Sequence, residues 1–291
     1  TNKSEQLRIE VKGDFPWAQK NWEDVSKSVS SVSLSSTGKR AIMQSRGEIF
    51  TVPTEYGDAR NITNSSGAAD RRPVWSPKGD KIAWFTDADG KGYVLRISSQ
   101  DGMSGIKDIS IGESKLGWEP TWSPDGKYIA FNDDDVRVRL LNLATGKIET
   151  IDVGGVNLER GDMGLTWSPD SKWLAYSKTS PNNFKRIYIW STLTKKTQAI
   201  TNELAHSISP SWDLDGKHLY FISSTNLALG SGWANTSSMM SDPVFTCYVV
   251  NLRKEDSSPF DLRSDEEEED KKEDDKDKKE EGKKDISVRI D

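Results

Sequence analysis

Short runs of alternating apolar and polar residues, interrupted every few positions by Gly, Pro, Asp or Asn, make up most of this chain. A period of two predicts strands with one buried face, and no window sustains a helical period. The segment from Pro120 to Val153 shows the pattern. Strand a ends at Trp122-Ser123, and Pro124-Asp125-Gly126-Lys127 is a tight turn in which Pro presets φ and Gly accepts positive φ. Strand b is Tyr128–Phe131, strand c Val136–Leu143 and strand d Ile148–Val153, the last two joined by an Ala144-Thr145-Gly146 turn.

The same unit recurs. Trp75, Trp122, Trp167 and Trp212 stand 47, 45 and 45 residues apart. They open the strings Trp75-Ser-Pro-Lys-Gly-Asp-Lys-Ile-Ala-Trp84, Trp122-Ser-Pro-Asp-Gly-Lys-Tyr-Ile-Ala-Phe131, Trp167-Ser-Pro-Asp-Ser-Lys-Trp-Leu-Ala-Tyr176 and Trp212-Asp-Leu-Asp-Gly-Lys-His-Leu-Tyr-Phe221. A weaker copy runs from Leu34 to Met43. A period of about 40–50 residues with four strands per unit is that of a propeller blade. The expected fold is therefore all-β, a β-propeller of four-stranded antiparallel blades. Five blades fall at about 30–67, 68–114, 115–155, 156–204 and 205–291. The repeated tryptophans are expected to pack blade on blade. Each can bury ~150–250 Å², worth at most about 4–6 kcal/mol.

Strand accounting at the ends suggests a partial propeller. In the last unit, strand a lies near Ser209–Trp212, b at His218–Ile222 and c at Val244–Leu252, which leaves Ile286–Ile290 as strand d. Within residues 1–29, Leu7–Val11 has the same alternation and reads as an orphan outer strand of a blade that this chain does not contain. The expected result is an open arc. A five-bladed ring closed by Leu7–Val11, displacing Ile286–Ile290, is the alternative. Two insertions interrupt the fifth blade. Residues 223–243 form a Gly/Ser/Asn-rich loop over one mouth of the channel, where b–c and d–a loops gather. Residues 265–285 hold 13 acids and 7 bases without aromatic or β-branched side chains. That composition predicts a disordered, solvated tether on the opposite face, or else an acidic docking site for a basic partner.

Charge and composition narrow the function. The net charge of −6 resides entirely in the 265–285 insertion, so the body is neutral and lacks the footprint of a nucleic-acid binder. No apolar run approaches the ~18 residues of a membrane-spanning helix. One cysteine rules out an internal disulfide framework and a cysteine-based zinc site, and two histidines disfavour a histidine-rich metal centre. Asp87-Ala-Asp89-Gly90 and Asp133-Asp134-Asp135 resemble calcium loops but lack the spaced Glu, and turn chemistry accounts for them. No metal or cofactor is expected. There is no Gly-x-Ser-x-Gly elbow. His206 falls in a predicted d–a loop and His218 in strand b, both as structural residues, and Cys247 in strand c reads as a buried apolar residue. No catalytic residue is expected in this segment. The candidate binding surface is the channel mouth, where Arg71, Arg72, Glu119, Arg160, Asp162 and His206 begin successive strands a, with Gly230, Gly232 and Trp233 as a lid. Mixed charges there suit the termini of extended peptides, and they also suit ordinary solvated loops.

The Trp-Ser-Pro-Asp-Gly-Lys strings are similar to the propeller repeats of the periplasmic Tol-system protein, prolyl oligopeptidase relatives and tricorn proteases. A narrower likeness lies in Arg46-Gly-Glu-Ile-Phe-Thr-Val-Pro-Thr-Glu-Tyr-Gly-Asp-Ala-Arg-Asn-Ile-Thr63, preceded by Leu7-Arg-Ile-Glu-Val-Lys-Gly-Asp14. With the fifth-blade insertions, it resembles the second, larger propeller of the tricorn protease family over essentially the whole chain. The resemblance implies a non-catalytic segment that controls substrate access in a large oligomeric serine peptidase degrading short peptides. The nucleophile and its base would lie in later domains. The implied partners are peptide substrates, the remaining domains of the parent peptidase and further copies of it. The implied location is the cytoplasm, or the periplasm if a leader precedes the chain. The alternative is a stand-alone protein–protein interaction propeller of the Tol type.

Overall fold

Five antiparallel sheets follow one another along the chain, each built as a meander. The computed structural model describes residues 4–5, 7–19, 21–65, 67–156, 160–225, 244–261 and 287–290. Blade one contains β1 (Val29–Leu34), β2 (Arg40–Ser45), β3 (Glu48–Pro53) and β4 (Arg60–Asn61). Blade two contains β5 (Arg71–Trp75), β6 (Lys81–Thr86), β7 (Val94–Ser99) and β8 (Lys107–Ser110). Blade three contains β9 (Gly117–Trp122), β10 (Tyr128–Asp133), β11 (Arg137–Asn142) and β12 (Ile148–Val153). Blade four contains β13 (Thr166–Trp167), β14 (Trp173–Thr179), β15 (Lys185–Ser191) and β16 (Thr197–Ala199). Blade five contains β17 (His206–Trp212), β18 (His218–Ser224) and β19 (Thr246–Asn251). Among the described residues there is no α-helix, as the period-two pattern demands, and none long and apolar enough to cross a membrane.

A repeated polar device sets the a–b turns of blades one to four. Ser35, Ser76, Ser123 and Ser168 each accept, through Oγ, the backbone N–H five residues on, at 2.9–3.1 Å. In blades three and four the same hydroxyl donates to the turn aspartate, Ser123 to Asp125 at 2.6 Å and Ser168 to Asp170 at 2.7 Å. Gly126 sits at φ 73°, a left-handed position that a Cβ would strain. Blade five departs from this device, because Asp213 stands where the others have serine.

The core lies in the seams between blades. Phe85, Leu95, Ile129 and Phe131 join blades two and three, and Leu140, Met163, Tyr176 and Trp190 join three and four. Ile42 and Ile49 pack on Trp84 between one and two, while Ile189, Leu219 and Phe221 fill the last seam. The repeated tryptophans occupy these seams as expected, Trp75 and Trp167 buried and Trp122 and Trp212 half-buried. Trp167 Nε1 donates to Thr121 O at 3.3 Å and Trp212 Nε1 to Thr166 O at 3.1 Å, so each indole is tied to the inner strand of the preceding blade. The indole N–H groups of Trp75 and Trp122 are buried without an acceptor. The two earlier seams therefore lack this link.

Among the described residues no apolar cluster, hydrogen bond or ion pair joins blade five to blade one. One face of blade one, formed by Val32, Leu34, Ala41, Met43, Phe50 and Val52, has no buried member, and Leu34 is 66% exposed. Three expectations need correction. Leu7–Val11 forms no strand and its Leu7, Ile9 and Val11 are exposed, because no sheet edge of this chain lies beside them. Residues 287–290 do not form a fourth strand on β19. Val288 and Ile290 instead enter the seam between blades four and five, and Val288 N donates to Asp170 Oδ2 at 2.8 Å. The apolar seam and the blade-four turn together out-compete the strand edge. Cys247 is exposed rather than buried, since it lies in β19 on the face that no sixth blade covers. The loop at 226–243 and the acidic insertion lie outside the described residues.

Candidate functional site

The inner strands share a kink at the residues expected to line the channel mouth. Arg72, Glu119, Gly164 and Ser209, each three residues before the repeated tryptophan, have φ of 54°, 48°, 63° and 55°. In blades two, three and five the strand register breaks at this point, which marks a β-bulge. A non-glycine residue held at positive φ costs of order 1–3 kcal/mol, and such residues concentrate where a side chain must be aimed. A proline follows in Arg72-Pro73, Glu119-Pro120 and Ser209-Pro210. That recurrence is the sequence signal from which the bulge could have been found.

Four of the expected residues lie along one rim. The Glu119 carboxylate accepts from Met163 N at 3.0 Å and from Gly164 N at 3.3 Å, tying blade three to blade four. Burial pushes its pKa up, the two backbone donors pull it down, and nearby Asp162 raises it while Arg72 lowers it. Asp162 receives the Lys185 ammonium on its carboxylate and, at 2.8 Å, on its carbonyl. Lys185 in turn donates its backbone N–H to His206 Nδ1 at 3.2 Å. Burial, and then the charge of Lys185, hold the His206 pKa below its ordinary value. His206 begins β17 instead of lying in a loop, with the rings of Phe184 and Phe245 edge-on at 6.4 and 6.1 Å. The order along the rim is thus Arg72, Glu119, Asp162, Lys185 and His206. Lys185 was missed by sequence reasoning, since nothing in the repeat distinguishes it before the blades are stacked.

The other expected residues contribute less. Arg71 is the half-buried first residue of β5, opposite Phe85, and Arg160 is exposed in the turn before Asp162. Trp233, with Gly230 and Gly232, lies outside the described residues. The aspartate-rich turns hold loops: Asp87 Oδ1 accepts from Ala69 N at 2.7 Å and Asp134 Oδ1 from Lys115 N at 2.8 Å. Buried Asp133 takes the Ser114 hydroxyl at 2.6 Å and the Arg137 guanidinium at 2.8 Å.

The family profile described as tricorn protease second beta propeller domain matches residues 29–291. This chain belongs to that family. A tricorn protease homolog 1 from Streptomyces coelicolor is 30% identical over 228 residues, covering 76% of this chain and 20% of the relative. The crystal structure of the tricorn protease aligns with TM-score 0.61 at 20% identity, covering 83% of this chain and 24% of that one. TolB from Acinetobacter baumannii aligns with TM-score 0.50 at 17% identity over 67% of this chain and 51% of its own. At such identities the structural likenesses establish the propeller fold alone. The chain spans about a fifth of the length of the curated relatives it matches.

Proposed function

We propose that this tricorn propeller segment is non-catalytic and gates the access of short peptides to the active site of a larger cytoplasmic serine peptidase. The observation that carries the reading is the charged rim from Arg72 to His206, aimed by the inner-strand bulges. The cations and carboxylates gathered there can hold the two termini of an extended peptide while the blades limit width. Chemistry is assigned elsewhere because the ring nitrogens of the two histidines meet backbone and carboxylate partners, not a hydroxyl or thiol, among the described residues. His206 accepts from the Lys185 backbone, and His218 lies between Asp213 and the Ser257 carbonyl. Covalent acyl transfer needs a nucleophile against an oriented base.

The test uses the full-length parent protein with Arg72→Glu. Turnover of short peptides with a free C-terminal carboxylate should fall several-fold in kcat/KM, while C-terminally amidated peptides keep their rate. Equal effects on both classes, or no peptide turnover by the parent protein, would defeat the proposal.

A further inference from the structure

The turn between β17 and β18 differs from its counterparts in the one position that supplies a proton. In blades three and four a serine hydroxyl donates to the turn aspartate. In blade five Asp215 keeps the aspartate's role and accepts Lys217 N at 2.8 Å, but Asp213 replaces the serine. A second carboxylate stands where a donor is needed. The strand that follows opens with His218, where blades three and four have Tyr128 and Trp173.

The imidazole of His218 is 9% exposed and its two nitrogens have different surroundings. Nε2 is 3.2 Å from the Ser257 carbonyl, which can only accept, so the ring proton sits on Nε2. Nδ1 faces the two carboxylates, 3.3 Å from Asp213 Oδ2 and 4.0 Å from Asp215 Oδ1, and in the neutral ring it presents a lone pair to them. One ring nitrogen and two carboxylate oxygens converge, all within 4.8 Å of one another, and Asp215 Oδ1 also accepts the Lys217 N–H. The imidazole is buried and the two carboxylates are partly exposed, so a cation held among them would meet two negative charges and one ring nitrogen.

We propose that His218 Nδ1, Asp213 and Asp215 bind a divalent transition cation of the zinc type. Zinc takes nitrogen and carboxylate oxygen ligands at ~2.0–2.2 Å in a tetrahedron, whose edges are then ~3.3–3.5 Å. The His218–Asp213 spacing matches such an edge, and Asp215, 4.0 Å from Nδ1, would have to move closer. The Ser257 carbonyl fixes the ring through its other nitrogen, as backbone carbonyls do for metal-bound histidines. One imidazole with two carboxylates suits zinc or cobalt, whereas calcium prefers oxygen throughout. Asp215 is 48% exposed at the outer side, which leaves remaining coordination positions open to water. The site is separate from the charged rim.

The test is calorimetric titration of the metal-free 291-residue chain with ZnCl2 at pH 7.5, in excess Mg2+ to saturate the acidic insertion. Co2+ absorption in the visible provides a coordination signature. Asp213→Ser rebuilds the serine turn of the other blades and should fold, and His218→Tyr copies blade three. Wild type should bind one equivalent tightly and gain thermal stability with Zn2+ concentration. Each variant should lose at least ~10-fold in affinity and lose the cobalt bands. Absence of saturable binding to wild type would overturn the proposal. Equal affinity in Asp213→Ser would also overturn it, by placing the ion elsewhere.

Discussion

Replacing Gly117 by alanine should destabilise the seam between blades two and three by about 1–3 kcal/mol, the usual cost of overpacking. Gly117 is buried at the start of β9, and its φ is not in the left-handed region, so the backbone itself tolerates alanine. The obstacle is the neighbouring ring. A Cβ there would lie 2.3 Å from Phe85 Cζ, 2.4 Å from Cε1 and 2.9 Å from Cε2. Carbon atoms at rest sit ~3.5–4.0 Å apart, so the ring must retreat by more than ~1 Å. It has nowhere to go, being fully buried and set edge-on against Phe131 at 5.6 Å. For a chain of this size each kcal/mol moves Tm by ~2–4 °C, which predicts a fall of ~2–12 °C. Thermal and urea unfolding followed by near-ultraviolet circular dichroism would measure it. Phe85→Leu, costing about 1–2 kcal/mol alone, removes the clashing atoms. In the double variant the two losses should fall short of their sum by ~1 kcal/mol or more. An unchanged Tm in Gly117→Ala, or strict additivity, would refute the packing argument.

Two further outcomes follow from the seams and the rim. Trp212→Phe should cost ~1–2 kcal/mol because it strips Thr166 O of its indole donor. Trp75→Phe should cost less, since that indole N–H is already unpaired. Urea midpoints giving the reverse order would contradict this account. His206 should make the chain less stable in mild acid. Its folded pKa is depressed, so below about 6.5 the unfolded chain binds more protons than the folded one. Its contribution is therefore present above that pH and declines as pH falls through it. Unfolding free energies at pH 7.5 and 5.5 should converge more in His206→Asn than in wild type, and an unaltered pH slope would count against the assignment.

Much of the architecture was legible because a blade is a local object. The spacing of Trp75, Trp122, Trp167 and Trp212, together with the Ser-Pro-Asp-Gly-Lys turns, specified five meanders, since each hairpin is set by turn chemistry and by alternation within about 40 residues. Charged residues at the start of the inner strands could be named for the same reason, as they recur with the repeat. Their company could not. Lys185 meets Asp162 and His206 only when blades four and five stack, and the carboxylate of Glu119 finds its donors 44 and 45 residues away. The fate of the end segments was likewise a tertiary matter. Leu7–Val11 and 287–290 alternate like strands, but alternation states only that one face seeks burial. Ladder pairing also needs a free edge at the right height. The first segment has no edge, and the second buries Val288 in a seam while Asp170 takes its backbone N–H. Sequence pattern determined which residues prefer to be covered, and the stacking of blades decided what covers them.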